Sequence, residues 1–338
     1  MAKALPKQKN NGIPKPVGMI IGAVIAAVFF AVILLHHNPL AVPKEEIIKK
    51  AIAIAMVLSA LIAYLVLYDK IIVLPRELWD NRELIWKLAR NDFKKRYAGS
   101  TMGRVWAFVQ PVVTVAMYYC VFELIFQTRA KLAAGGIEAP YVLWLTAGLV
   151  PWFYFSEAIG GGTSALIEYN YLVKKVVFKI SILPIIKVIA ATFIHVFFAS
   201  VMLILYFCYG YKPGFYLIQI IYFSFCMFAL SLAISYSTCA IVVFFKDLSQ
   251  IIGILLQVGM WATPILWDIA QIPEKYRIIF KLNPVFYIVN GYRSALFEKT
   301  WFFEDFYSTV FFWITTAIIF GIGTLIFKRL KPHFADVL

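Results

Sequence analysis

PGFYLIQIIYFSFCMFALSLAISYSTCAIVVFF, residues 213–245, contains no Asp, Glu, Lys or Arg. About 20 apolar residues wound as a helix cross the roughly 30 Å hydrocarbon core of a bilayer, so this run is long enough to span one. Seven more charge-free runs follow the same rule: 17–35, 51–68, 105–122, 139–156, 188–211, 248–267 and 306–327. The composition agrees. The chain is 62% hydrophobic and 15% charged, with a mean hydropathy of +0.81, which excludes an ordinary soluble domain. Period-two alternation of a membrane β-barrel is absent. The expectation is an all-α integral membrane protein with eight spans. The first run lacks a small-residue cleavage site before the next charged stretch, so it is expected to be a span and not a signal peptide.

Orientation follows from Lys and Arg. With the N-terminus in the cytoplasm, inside segments carry 21 basic residues and outside segments 11. Both termini are therefore expected inside. The net charge of +14 then reflects this bias and anionic headgroups, and nucleic-acid binding is the wrong inference. Cys120, Cys208, Cys226 and Cys239 fall inside spans without a CxxC pair, and read as small buried apolar residues.

The chain divides into a tail (1–16), an N-terminal hairpin of two spans (17–75), an amphipathic segment (76–104), a core (105–327) and a second tail (328–338). In RELWDNRELIWKLARNDFKKRYA, 76–98, Trp79, Trp86, Ala89, Phe93 and Tyr97 share one helical face with Leu78, Ile85 and Leu88. Arg82, Lys87, Arg90, Lys94 and Lys95 cover much of the rest. Such a helix lies in the cytoplasmic interface, as a mere anchor or as a guide for an anionic, lipid-linked substrate. The segment 268–305 holds a charge-free stretch, 282–292, too short to cross. Together with Pro264, Pro273 and Pro284 it suggests short helices re-entering from outside, sheltered by protein.

Neither a GxxxxGK[ST] phosphate loop nor a metal-ligand cluster is present in the sequence. His195 and Glu157 are intramembrane ionisable residues and so transport suspects, with hydrogen-bonded packing as the other reading. Glu157 and Glu168 stand isolated, against a membrane glycosyltransferase site. The nearly charge-free spans count against an ion-coupled flippase or secondary transporter working alone.

Four stretches carry a family resemblance: LIWKLARNDFKKRYAGSTMGRVWAFVQP (84–111), GLVPWFYFSEAIGGGTSALIEYNYLVKKVVFKISILP (148–184), VVFFKDLSQIIGILLQVGMWATPILWDIAQIPEKYRIIFKLNPVFYIVNGYRSALF (242–297) and FKRLKPHFADVL (327–338). Over about 76–338 the chain resembles the permease subunit of ABC-2 type polysaccharide exporters, the group that includes wall teichoic acid and O-antigen exporters. The resemblance implies a six-helix type V exporter domain with an interface helix and outer re-entrant helices; the hairpin 17–75 is extra to it. It implies a homodimer of permeases, two copies of a separate ABC ATPase that binds ATP and Mg, and no cofactor in this chain. It also implies a glycopolymer on undecaprenyl diphosphate, of the teichoic acid type first and the O-antigen type next. Another ABC-2 reading is export of a lipid or small molecule. The expected setting is the cytoplasmic membrane of a bacterium, Gram-positive by the FADVL ending.

The same resemblance places a coupling helix in 168–184, with Tyr171, Val173, Lys174, Lys175, Val177, Phe178 and Lys179 meeting the ATPase. Arg90, Lys94, Lys95, Arg96 and Arg104 are the expected entry for the lipid diphosphate, since Arg meets phosphate bidentately. Trp106, Tyr118, Tyr119, Trp152, Phe153, Tyr154, Phe155, Trp261 and Trp267 are the candidates to line the channel, where aromatic faces let sugars slide; interfacial belts and packing are their other use. Pro264, Pro273, Asn283 and Pro284 mark the outer gate. Gly160, Gly161 and Gly162 allow bending or close helix approach.

Overall fold

The structure is a computed structural model and describes residues 15–35, 43–96, 105–127, 129–131, 138–174 and 179–338. It divides into two compact units, Met1–Asp80 and Asn81–Leu338. In the first, α1 (Lys15–Leu35) packs against α2 (Pro43–Ile71), and α3 (Val73–Asp80) follows. Gly18 and Gly22 of α1 give the room for this contact. A Cβ at Gly18 would meet the Tyr68 hydroxyl at 1.8 Å, and one at Gly22 the Tyr64 ring at 2.3 Å. Tyr64 also donates to the Gly18 carbonyl at 2.9 Å. Small residues let helices approach where lipid supplies no hydrophobic drive between them.

The second unit starts with α4 (Arg82–Arg96) and α5 (Trp106–Tyr118), which continues as a π-helical turn over Tyr119–Ile125. Two short antiparallel strands, β1 (Arg129–Lys131) and β2 (Glu138–Pro140), come next, an exception to the all-α expectation. Then follow α6 (Tyr141–Glu168), α7 (Asn170–Val173), α8 (Leu183–Cys208), α9 (Gln219–Val242), α10 (Leu248–Ala262), α11 (Glu274–Lys281), α12 (Pro284–Arg293), α13 (Phe306–Leu330) and α14 (Phe334–Val337). The segment expected as one helix over 76–98 is interrupted at Asn81.

Helix α6 is the buried centre, packed by α8, α9, α10 and α12, while α13 packs on α9. Gly162 is the glycine of its triplet that a neighbour needs: a Cβ there would meet Ser235 Oγ at 2.1 Å, whereas Gly160 faces open space. Thr163 donates to Thr238 at 2.8 Å across the same contact.

Five helices among the described residues are long and apolar enough to cross a membrane: Glu46–Asp69, Tyr141–Glu168, Ile180–Cys208, Phe215–Val242 and Phe306–Val337. The shorter apolar helices Pro16–Ala31, Val112–Ile125 and Leu248–Ala262 coincide with the other three runs. The run 248–267 stops being helical at Ala262 for a local reason. Pro264 drives the residue before it out of the helical region, and Thr263 is extended at φ −89° and ψ 134°. Cys226 and Cys239 are buried as expected, but Cys120 and Cys208 are exposed, because each lies on the outward side of its helix.

Gly162→Val should overpack the α6–α9 contact by about 1–3 kcal/mol, while Gly160→Val should leave stability near wild type. Thermal unfolding of the detergent-solubilised protein checks both.

Candidate functional site

The chain runs up and down the bundle, so the C-terminus of α6 and the N-terminus of α8 share one end. Helix α4 packs against α8 at that end. Its buried face is Ile85 and Ala89, with Asp92 and Phe93 partly covered. Trp86 and Phe93 meet Phe193 at ring-centroid distances of 5.4 and 5.7 Å. Trp86 itself stays 54% exposed, at the flank of the face.

Asp92 falls on the apolar face because 85, 89 and 92 follow helical spacing. Lys187 of α8 reaches it at 2.9 Å and reaches Glu168, the last residue of α6, at 2.5 Å. Tyr169 donates to Asp92 as well, and Ser164 Oγ donates to the other Glu168 oxygen at 2.5 Å. Lys187 Nζ lies 5.1 Å from the Tyr169 ring centroid. Burial, then the Asp92 carboxylate, pushes the Tyr169 phenol further above its usual range, so it remains a neutral donor. Glu168, expected to stand isolated, belongs to this cluster. The sequence carried two usable signals: an acid on an apolar helix face, and a lysine at the edge of a long apolar run.

The segment between α6 and α8 is held at both ends. Val173 is buried within the chain, so it anchors the segment to its own bundle, while Tyr171 and Lys174 are exposed. Tyr236 of α9 donates to the Ser181 carbonyl at 2.8 Å, and Lys179 is half-buried. Lys175, Val177 and Phe178 lie outside the described residues, as do Arg104 and the side chain of Arg96. Arg90, Lys94 and Lys95 are exposed on α4.

At the opposite end one buried cation organises the backbone. Arg293, the last residue of α12, is 4% exposed. It donates to the carbonyls of Pro264 at 2.7 Å and Ile265 at 2.8 Å. Its guanidinium carbon sits 3.4 Å above the Trp144 ring. Tyr141 donates to the Leu266 carbonyl at 2.7 Å. Asn283 caps α12 by accepting from Val285 N at 3.0 Å, and donates to Thr263 Oγ1 at 3.0 Å. Pro284 opens α12 and Pro273 precedes α11. Of the four expected gate residues, Pro264 and Asn283 take part in one hydrogen-bonded cap and Pro284 opens the helix that carries its centre, Arg293, which was not singled out in sequence; these bonds do not include Pro273.

The aromatic candidates separate by exposure. Trp106 and Trp261 are exposed; Tyr118, Tyr119, Phe153 and Trp267 are partly so. Trp267 donates to the Trp261 carbonyl at 2.9 Å. Tyr119 lines an apolar cavity of about 320 Å³ between α5, α6 and α8. Trp152, Tyr154 and Phe155 are buried inside the bundle; a Cβ at Gly259 of α10 would meet Trp152 at 2.9 Å. Tyr154 stacks on His195 at 4.5 Å. His195 Nε2 lies 2.9 Å from Ser224 Oγ and 3.1 Å from the Tyr292 hydroxyl, which ties α8 to α9 and α12. Among the described residues, no three His, Cys, Asp or Glu are grouped to hold a metal ion.

Residues 83–297 match the family described as ABC-2 type transporter. The chain is similar to O-antigen export system permease protein RfbA of Myxococcus xanthus, 27% identical over 265 residues, covering 78% of this chain and 98% of that protein. It is similar also to two RfbA proteins of Klebsiella pneumoniae, each 27% identical over 260 residues, covering 76% of this chain and 95% of theirs.

Lys187→Met should destabilise the solubilised protein by roughly 3–5 kcal/mol, because Asp92 is left buried without a cation; adding Asp92→Asn should recover part of the loss. Arg293→Met strands buried carbonyls at about 1–3 kcal/mol each, and limited proteolysis should then cut within 263–283.

Proposed function

Since this chain belongs to the ABC-2 type transporter family, we propose that it is the permease of an ATP-driven exporter of a lipid-linked polysaccharide. The chain is a transmembrane transport subunit. The observation that carries the reading is the segment 169–183. It joins the buried helix α6 to α8, shows Tyr171 and Lys174 outward, and is tied to the bundle by Val173 and Ser181. A permease without a phosphate loop takes its energy from elsewhere, and a short segment joining two spans transmits a push to both. A separate ABC ATPase, holding ATP and Mg, docks there. The exposed Lys174, with Lys175 and Lys179, suits an acidic docking surface, and apolar residues at its centre supply affinity.

In this reading the core is the six-helix exporter domain with the 17–75 hairpin added to it. Two copies face each other, both termini are cytoplasmic, and the exposed Trp106 and Trp261 line the path between cores. Buried Trp152, Tyr154 and Phe155 serve packing. The exposed Arg90, Lys94 and Lys95 receive the undecaprenyl diphosphate, and the cap around Arg293 is the outer gate. The names of the relatives favour an O-antigen-type cargo; a wall teichoic acid cargo, favoured by the FADVL ending, stands second.

Pull-down of the tagged protein from its native membrane, followed by ATPase assay in nanodiscs, tests the docking. Wild type should bring down an ATPase. Lys174→Glu with Phe178→Ala should weaken that capture at least about tenfold, roughly 1.4 kcal/mol. If wild type never captures an ATPase, the exporter reading fails.

A further inference from the structure

One ion pair directly joins the two stems of the segment between α6 and α8. Glu168 ends α6 and Lys187 lies in the first turns of α8; their side chains meet at 2.5 Å. The second bond of Lys187, to Asp92 at 2.9 Å, ties α8 to α4. The two arms differ in exposure. The side chains of Lys187 and Asp92 are 6% and 11% exposed, and that of Glu168 is 48% exposed.

Exposure sets what each arm resists. Separating Lys187 from Asp92 would leave the Asp92 carboxylate, 11% exposed, without its cation, which is strongly unfavourable. Asp92 is further held by the Tyr169 hydroxyl, and the aromatic contacts of Phe93 and Trp86 with Phe193 fasten α4 to α8 independently. A half-exposed carboxylate exchanges its partner for water at little cost. Ser164, one turn back on α6, gives Glu168 a second hydrogen-bond partner on its own helix.

We propose that Glu168 and Lys187 form a latch on the coupling segment, with Asp92 as the fixed seat that keeps Lys187 in place. Closed, the latch holds the adjoining ends of α6 and α8 together, so the segment moves only with both. Open, it leaves the α6 end held to this seat through the Tyr169–Asp92 bond alone, so that end gains play against α8 while α4 stays with α8. Lys187 is a positioning residue here; it touches no cargo. The latch deepens the reading that an ATPase docks on 169–183 and rests on it.

The test uses the complex of permease and ATPase reconstituted in proteoliposomes, with ATP hydrolysis and polymer translocation measured on the same sample. Glu168→Gln keeps a hydrogen-bonding side chain but loses the charge, and Lys187 keeps Asp92. It should fold, with an unchanged thermal midpoint, and capture the ATPase as wild type does. The ATP hydrolysed per polymer moved should rise at least threefold. Glu168→Asp, which retains the carboxylate, should bring the ratio back toward wild type. A purely structural role would instead lower the thermal midpoint and leave the ratio alone. If wild type translocates polymer and Glu168→Gln has the wild-type ratio, the latch falls and the docking reading stands. If wild type captures no ATPase, the docking reading falls and takes the latch with it.

Discussion

A lysine ammonium taken out of water has to be met where it lies, and Lys187 is met by two carboxylates from two helices. Burial of a charge is tolerated only with close partners and satisfied hydrogen bonds. Asp92 therefore fixes the position of α4 along α8, and Glu168 fixes the end of α6 to the start of α8. The arrangement of this end of the bundle answers that need, and the rings of Trp86 and Phe93 on Phe193 add to the hold of α4 on α8. Tyr169 and the short α7 follow directly after Glu168.

Arg293 answers the same requirement differently at the other end. Its hydrogen bonds go to main-chain carbonyls and its face to an indole. The carbonyls it takes belong to the non-helical turn after α10, which Pro264 makes unavoidable. Backbone that is not helical cannot be left unpaired at membrane depth. Arg293, Tyr141 and Asn283 between them use the groups of residues 263–266. Gly148 lies close enough that a Cβ would come within 3.0 Å of the guanidinium, so α6 is drawn against the cap as well.

Between these ends, packing is steric and polar. Gly162 against Ser235 and Gly323 against the Ala233 carbonyl bring backbones close, and the hydroxyl pairs of Thr163 with Thr238 and Tyr154 with Thr192 add short bonds. That is the pattern expected where lipid tails are as apolar as side chains. Helix α10 has no buried residue and carries Ile254, Leu255, Val258 and Trp261 outward.

The sequence by itself determined the class of this protein. Charge-free runs mark where apolar helices lie, because the solvent there forbids charge, and proline at 264 marks where one of them stops. Motif stretches led to the family that 83–297 confirms. Sequence periodicity put Asp92 on a covered face, yet nothing local said that Lys187, 95 positions away, would be its partner. Likewise Arg293 reads in sequence as one more basic residue of a polar connection. Only the tertiary structure made it a buried pin, since its partners at 144, 264 and 265 come from other elements. Exposure sorted the aromatics in the same way. A Trp in an apolar helix looks alike whether it faces lipid, a pathway or a neighbouring helix, and only packing separates Trp152 from Trp261.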